Sequence, residues 1–171
     1  MKIYFVGYMF SGKSSVGKKI AKAMGFDFYD LDTLFERKYK ISIADFFSRY
    51  DEAAFRKLEH EVLLSTKGYD NCVIATGGGT PCFEGNMDFI LENGLSVYLK
   101  SSVKTILNRR STSKRVRPIL ANKSDDEALL FVERQLAERE PFYQKADLTI
   151  KAESVDIEEV IQAIQSIKKA P

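Results

Sequence analysis

The residues best suited to chemistry form a loop near the start of the chain. Residues 7–14 read Gly-Tyr-Met-Phe-Ser-Gly-Lys-Ser and fit the phosphate-binding pattern G-x-x-x-x-G-K-[ST] at every fixed position. Glycines let the backbone wrap around a polyphosphate, whose oxygens accept hydrogen bonds from N–H groups of the loop and the next helix. Lys13 can then reach the β- and γ-phosphates, and Ser14 can ligate magnesium. The predicted nucleotide contacts in this loop are Gly7, Ser11, Gly12, Lys13, Ser14 and Ser15.

Two carboxylates follow the second strand-like run of the chain. Asp30 and Asp32 stand at its end, where ligands bind in open α/β sheets. Because side chains alternate along a strand, we expect both to face one site. Asp30 with Ser14 is the predicted magnesium site. The alternative is that one of the two aspartates only caps the helix that starts near Thr33.

A predicted helix over residues 51–66 carries Arg56, Glu59 and His60 beside its apolar face. Glu59 is spaced to hold the Arg56 guanidinium, although an exposed salt bridge of little value fits the spacing equally well. His60 has no partner cysteine, serine or metal-ligand spacing. We therefore interpret His60 as a surface or packing residue.

Three glycines, Gly77, Gly78 and Gly79, directly follow a predicted strand over residues 72–76. Glycine after a strand is typical of close approach between the main chain and a ligand, and a flexible turn is the alternative. This strand ends in Ala75-Thr76, without the aspartate that often serves magnesium at this point. The metal role therefore rests on Asp30.

Arginines dominate the polar stretch over residues 111–123, which has no apolar periodicity. A loop of this length is typical of a lid, and Arg117 could close over a triphosphate. A solvated basic loop is one alternative. Without interleaved aromatic residues for stacking on bases, a nucleic-acid patch is disfavoured. Arg139 lies on the inner edge of the next predicted helix, which we expect to break at Glu140-Pro141.

The whole chain has the composition of an ordinary globular protein. It has 171 residues, 44% of them hydrophobic, and a formal net charge of +2. Five strand-like runs alternate with helical patterns, which predicts a mostly parallel sheet covered on both faces within one domain over residues 1–171. Cys72 and Cys82 have no paired spacing, and no run is long enough for a membrane span. We expect reduced thiols and a cytoplasmic location.

Residues 122–125 read Asn-Lys-Ser-Asp and look like the guanine-reading N-K-x-D motif of GTPases. They precede a helix and do not follow a strand, and the chain contains no D-x-x-G motif. Both features disfavour a GTPase. The remaining pattern favours a kinase that binds a small anionic acceptor beside ATP.

Taken together, these motifs resemble the shikimate kinase family in order and spacing over nearly the full chain. The motifs are residues 7–14, Asp30-Leu31-Asp32, Phe55-Arg56-x-x-Glu59, Gly77-Gly78-Gly79, Arg117-Pro118-Ile119-Leu120 and Arg139-x-Pro141-x-Tyr143. The resemblance implies a three-layer α/β P-loop NTPase fold with a five-stranded parallel sheet in the order 2-3-1-4-5, flanked by helices, plus a lid loop. It also implies transfer of the ATP γ-phosphate to the 3-hydroxyl of shikimate, in aromatic amino-acid biosynthesis.

The same resemblance implies roles for individual residues. Lys13, Asp32 and Arg117 would be catalytic, with Asp32 binding the shikimate hydroxyls. Arg56 and Arg139 would clamp the shikimate carboxylate. The remaining implied contacts are Gly77, Gly78 and Gly79 to the substrate, Arg110 and Arg117 to the nucleotide, and Ser14 and Asp30 to Mg²⁺.

One departure from the family is the bulk of Tyr8-Met9-Phe10, whose side chains we expect to point away from the phosphates. We expect a monomer that binds neither nucleic acid nor membrane. Two alternatives remain from the sequence. One is another small-molecule kinase, for gluconate or a nucleoside monophosphate, and the other is a catalytically idle nucleotide-binding regulator.

The lid assignment predicts the effect of changing Arg117. Arg117→Ala should lower turnover by orders of magnitude, because an arginine that crosses to the phosphates stabilises transition-state charge. Affinity for the acceptor should change little. Steady-state kinetics with separate titration of each substrate measures both, and turnover equal to that of the unchanged protein would contradict the lid role.

Overall fold

The computed structural model describes residues 1–113 and 118–167. The strands in these residues are β1 Lys2–Val6, β2 Asp27–Asp30, β3 Cys72–Ala75, β4 Leu95–Lys100 and β5 Leu148–Lys151. The helices there are α1 Lys13–Met24, α2 Leu31–Tyr39, α3 Ile43–Arg49, α4 Glu52–Ser65, α5 Asn86–Asn93, α6 Val103–Thr112, α7 Pro118–Ala121, α8 Asp125–Tyr143 and α9 Ile157–Ser166. Short 3₁₀ turns occupy Thr66–Gly68 and Thr80–Cys82.

All five strands lie in one parallel sheet in the order β2-β3-β1-β4-β5. This confirms the predicted fold and strand order. Because the strands are parallel, their carboxyl ends share one edge. Strands β2 and β3 lie on one side of β1, and β4 and β5 lie on the other, so the chain reverses its winding direction at β1. The phosphate loop follows β1 at this switch point, which is where open α/β sheets bind ligands.

Two apolar layers cover the sheet, and β1 contributes to both. Ile3 and Phe5 face one layer, which includes residues of α1 and α9. Tyr4 and Val6 face the other layer, which includes residues of α2, α4 and α8. Since every residue of β1 is buried, the strand reads as a continuous apolar run, as expected at the centre of a parallel sheet.

Helix α2 begins earlier than the sequence predicts. It starts at Leu31, directly after β2, and Asp30 is its N-cap, with a side chain that accepts a hydrogen bond of 3.0 Å from the Asp32 N–H. Asp32 therefore lies in the first turn of a helix, so strand alternation does not place the two aspartates. Both nevertheless line one cavity, as predicted, and Asp30 also caps the helix.

Helix α8 corrects a second expectation, because it continues through Pro141 to Tyr143. Pro141 has no N–H and so removes one helical hydrogen bond. The next turn is nevertheless closed by a 2.9 Å hydrogen bond from the Gln144 N–H to the Glu140 carbonyl. Tyr143 is fully buried, and its hydroxyl donates to the Gly78 carbonyl at 2.5 Å. Tertiary packing of Tyr143 thus outweighs the local preference for a break.

The stretch expected to be an aperiodic lid, residues 111–123, contains helix at both ends. Helix α6 extends to Thr112 and α7 occupies Pro118–Ala121. Lys114, Arg115 and Arg117 lie outside the described residues. At the far side of this stretch, Ser124 and Glu127 form the capping box that the sequence predicts for α8.

In the described part of the chain, no helix combines the length and apolarity that a membrane crossing requires. Cys72 and Cys82 are both free thiols. Burial raises the pKa of the Cys82 thiol to about 11, so this thiol stays protonated near neutral pH.

Gly94 generates a stability prediction. A Cβ on Gly94 would lie 2.8 Å from the Lys2 carbonyl oxygen and 2.8 Å from the Tyr4 ring. Gly94→Ala should therefore lower the free energy of unfolding by about 1–3 kcal/mol through overpacking. Gly68→Ala is the matched control, since a Cβ there meets nothing within 4 Å. Urea denaturation of both variants measures the difference, and equal stabilities would contradict this packing.

Candidate active site

Two adjoining cavities open at the carboxyl edge of the sheet, and they share a wall. The loop cavity, beside the phosphate loop, has a volume of about 250 Å³, and the arginine cavity, beside α4, has a volume of about 80 Å³. The residues common to both are Met9, Asp32, Gly77 and Gly78. A group bound in one cavity therefore lies directly beside a group bound in the other.

The phosphate loop has the backbone conformation that its glycines allow. Gly7 and Gly12 have φ angles of 140° and 97°, which residues with a side chain rarely adopt. A Cβ on Gly7 would also lie 2.7 Å from the Leu99 carbonyl oxygen. Gly12 is the N-cap of α1 and lines the loop cavity together with Ser14 and Ser15. The N–H groups at the start of α1 therefore lie at this cavity, as an anion site requires.

Lys13 folds back over the loop. Its ammonium donates to the carbonyls of Gly7 and Tyr8 at 2.7 Å each, and lies 3.5 Å from the Ser11 hydroxyl. The side chain is mostly buried, yet it lines the loop cavity. A positive charge is thus held among loop carbonyls at the place where phosphate oxygens would enter.

Ser14 and Asp30 are directly paired. The Ser14 hydroxyl donates to one Asp30 carboxylate oxygen at 2.5 Å, while the other oxygen caps α2. Hydroxyl and carboxylate oxygens are the hard donors that magnesium prefers, and both residues line the loop cavity. No group of three or more metal-ligating side chains occurs among residues 1–113 and 118–167. The Ser14–Asp30 pair would suit a magnesium ion that took its remaining ligands from phosphate and water.

Arg56 and Glu59 form a buried ion pair in the arginine cavity. The guanidinium donates to the Glu59 carboxylate at 2.7 Å, and the two side chains are only 14% and 3% exposed. The alternative of an exposed salt bridge, which the sequence left open, is therefore wrong. Burial raises the pKa of the Glu59 carboxyl, and the Arg56 charge together with a 2.6 Å hydrogen bond from the Thr80 hydroxyl opposes that rise.

A chain of polar contacts continues behind this pair. The Asn86 side chain donates to the Thr80 carbonyl at 2.8 Å and contacts the ring nitrogen Nδ1 of His60 at 2.5 Å. Asn86 is fully buried at the start of α5. His60 is thus a packing residue, as predicted, and the turn that carries Thr80 is fixed from two sides.

The three glycines are required by close approach. A Cβ on Gly77 would lie 2.7 Å from Glu59, one on Gly78 would lie 3.1 Å from the Met9 nitrogen, and one on Gly79 would overlap the Arg56 guanidinium. None of the three has a positive φ. The strand end is thus pressed against the ion pair and the phosphate loop, and the flexible-turn interpretation is wrong.

Arg139 enters the arginine cavity from α8. It is 9% exposed, and its guanidinium lies 5.6 Å from the centre of the Tyr8 ring. Within the described residues, Arg139 forms no ion pair with a carboxylate. Arg56 and Arg139 thus approach one cavity from two helices, an arrangement suited to a bound carboxylate.

The bulky loop residues divide between two environments. Tyr8 points away from the loop cavity, as expected, and its hydroxyl donates to Gln135 at 2.6 Å. Met9 and Phe10 instead line the loop cavity, so the same expectation is wrong for them. No sequence pattern indicates this difference, because it depends on how the loop crosses the sheet edge.

The structure does not bring Arg110 to either cavity. Its guanidinium donates to the carbonyls of Leu120 at 3.0 Å and Lys123 at 2.5 Å, and lies 3.4 Å from Asp125. The predicted nucleotide contact of Arg110 stays a prediction. Arg117, for which a catalytic and nucleotide-binding role is predicted, falls outside the described residues.

Two residues near the site had no role assigned from the sequence. Tyr143 holds the Gly78 carbonyl from α8, and Arg109 contacts the outer side of the phosphate loop. Tyr143 belongs to the last of the motifs quoted above. Arg109 carried no signal beyond its place before the lid, since its partners are backbone carbonyls far away in sequence.

The fold and the paired cavities define a phosphate-loop kinase that acts on a small anionic acceptor. A family model described as shikimate kinase matches residues 9–168. The chain belongs to the shikimate kinase family.

Individual relatives agree with this family. The chain is 38% identical to a shikimate kinase of Parabacteroides distasonis, over 97% of this chain and 98% of the relative. A solved shikimate kinase of Bacteroides thetaiotaomicron superposes with a TM-score of 0.89 at 36% identity, covering 96% of each chain. The shikimate kinase of Acinetobacter baumannii in complex with shikimate gives a TM-score of 0.85 at 32% identity, covering 96% of this chain and 93% of that one.

A prediction follows from the different burial of the two acidic partners of Arg56. Glu59→Gln should lower the free energy of unfolding by about 3 kcal/mol, because it removes the buried counter-charge of the Arg56 guanidinium. Glu52 contacts the same guanidinium at 3.2 Å but is 61% exposed. Glu52→Gln should therefore change the free energy very little. Urea denaturation of both variants measures the two changes. Similar losses of unfolding free energy would show that burial does not set the strength of the Arg56–Glu59 pair.

Proposed function

We propose that the protein transfers the γ-phosphoryl group of ATP to the 3-hydroxyl of shikimate, which gives shikimate 3-phosphate and ADP. This places it in aromatic amino-acid biosynthesis. The observation that carries the proposal is the shared wall between the loop cavity and the arginine cavity. Family membership supports the same reaction.

The phosphate loop binds the ATP phosphates in this account. The N–H groups at the start of α1 surround the β-phosphate, and Lys13 exchanges its contacts with loop carbonyls for contacts with the β- and γ-phosphates. Ser11, Ser15 and Gly7 complete the loop. Because the cradle consists of backbone fixed by glycines, little reorganisation is needed when the nucleotide binds.

Ser14 and Asp30 are the proposed magnesium ligands, directly or through water. Their 2.5 Å hydrogen bond supports this proposal, because the hydroxyl and carboxylate oxygens are adjacent and both residues line the loop cavity. A magnesium ion held there would neutralise charge that develops during transfer.

Arg56 and Arg139 are the proposed carboxylate clamp for shikimate. Guanidinium groups bind carboxylates through paired, charge-assisted hydrogen bonds, and burial strengthens them. Glu59 fixes the orientation of Arg56, and the Tyr8 ring lies against Arg139. Gly77, Gly78 and Gly79 allow the acceptor to lie against the main chain at the shared wall.

Asp32 is the proposed catalytic carboxylate. It is buried at the start of α2 and lines both cavities, so it lies between the acceptor and the phosphates. From this position it binds the acceptor hydroxyls and assists loss of the proton from the attacking 3-hydroxyl. The phosphoryl group then moves in line from ADP to that oxygen.

Lid residues complete the account. Arg117 would stabilise the charge of the transferring group, and Arg110 would contact the nucleotide once the lid closes. Closure excludes water from the γ-phosphate and so prevents hydrolysis of ATP. We further propose a cytoplasmic monomer that binds neither nucleic acid nor membrane.

The carboxylate clamp distinguishes this acceptor from neutral polyols. With MgATP, ADP release should proceed with shikimate and fall at least about a hundredfold in kcat/KM with methyl shikimate, because the ester lacks the negative charge that both guanidinium groups would bind. A coupled assay of ADP formation measures both. An equal kcat/KM with the ester would contradict the proposed carboxylate clamp.

Changing the clamp should separate the two substrates. Arg56→Ala should raise the KM for shikimate by about a hundredfold or more, since a buried charge-assisted pair is lost, while ADP still binds in calorimetry. Arg134→Ala is the matched control, because Arg134 lies on the exposed side of α8. An Arg56 variant with unchanged KM for shikimate would contradict the assignment.

A further inference from the structure

Phe10 occupies an unfavourable backbone conformation inside the phosphate loop. Its φ angle is 61°, in the left-handed region that glycine adopts without cost. A bulky residue there stores strain, which persists only where surrounding contacts hold it. The contacts that hold Phe10 are therefore part of what shapes the loop.

Arg109 provides such contacts from α6. Its guanidinium donates to the Ser11 carbonyl at 2.7 Å and to the Phe10 carbonyl at 3.1 Å. It also reaches the Ala152 carbonyl at 3.4 Å, just after β5. Within the described residues, Arg109 forms no ion pair with a carboxylate. Its charge is thus directed at main-chain carbonyls, two of them in the strained part of the loop.

Holding these carbonyls also sets the direction of loop N–H groups. In a planar trans peptide the C=O and N–H point in opposite directions, so a Ser11 carbonyl turned toward Arg109 turns the Gly12 N–H away from it. Gly12 lines the loop cavity. The Ser11 N–H meanwhile closes the turn on the Tyr8 carbonyl at 3.3 Å. The guanidinium therefore supports the loop from its outer side.

We propose that Arg109 is a positioning residue for phosphoryl transfer, which holds the phosphate loop in the strained turn at Phe10 and so keeps the loop amides ready for a polyphosphate. The proposal rests on the proposed function only in taking this loop as the ATP site. The need for Arg109 depends on the residue at position 10, because a glycine there would adopt the same turn without support.

A double-mutant cycle tests the proposal. Binding of sodium tripolyphosphate and of ADP, each with Mg²⁺ and without shikimate, is measured by calorimetry for the unchanged protein, Arg109→Ala, Phe10→Gly and the double variant. Arg109→Ala should weaken tripolyphosphate binding about tenfold with Phe10 present, and less than about threefold with glycine at residue 10. Equal losses in both backgrounds would overturn the proposal, because they would mean that Arg109 acts only through its charge.

Comparison of tripolyphosphate with ADP distinguishes support of the loop by Arg109 from a contact between Arg109 and the base. Loss of affinity for ADP with unchanged affinity for tripolyphosphate would place Arg109 on the base and overturn the proposal, whereas matching losses support it. If Arg109→Ala does not fold by circular dichroism, Arg109→Lys takes its place in the same cycle, with the same dependence on residue 10 expected.

The double-mutant cycle and the proposed function can also fail independently of each other. A protein that binds tripolyphosphate but does not phosphorylate shikimate would refute the reaction and leave this cycle readable. An unchanged protein that does not bind tripolyphosphate would overturn the role of Arg109.

Discussion

The site depends on the buried ion pair between Arg56 and Glu59. A guanidinium in this position is tolerated because a carboxylate 2.7 Å away balances it, and that carboxylate is itself held by the Thr80 hydroxyl. The strand end at residues 77–79 passes within contact distance of both charges, and a side chain on Gly77 or Gly79 would displace them. The ion pair thus constrains α4, the turn at Thr80 and the end of β3 together.

This constraint also links the two halves of the site. Gly78 lies against the Met9 nitrogen of the phosphate loop and is held by Tyr143 through its carbonyl. Tyr8, from the same loop, supports Arg139. The phosphate loop and the two arginines of the arginine cavity are therefore one packed unit. Such rigidity suits a kinase, since phosphoryl transfer depends mainly on the relative position of donor and acceptor.

The fold could be predicted, and so could many of the residues that line the two cavities, because their signals are local. The loop pattern, the run into Asp30, the triglycine and the alternation of strands with helices each lie within a few residues. Three features could not be predicted, because they depend on tertiary contacts: α8 crosses Pro141 through the burial of Tyr143, Glu59 is buried by the turn at Thr80, and Arg109 contacts carbonyls nearly a hundred residues away.

The most direct test of the central claim is ADP release with MgATP and a panel of acceptors, namely shikimate, quinate, gluconate, AMP and CMP. The account predicts turnover with shikimate and formation of a phosphate ester on its 3-oxygen, visible by phosphorus NMR. Turnover with another acceptor only would keep the phosphate loop but contradict the roles of Asp32, Arg56 and Arg139. Absence of turnover with every acceptor would favour a nucleotide-binding regulator.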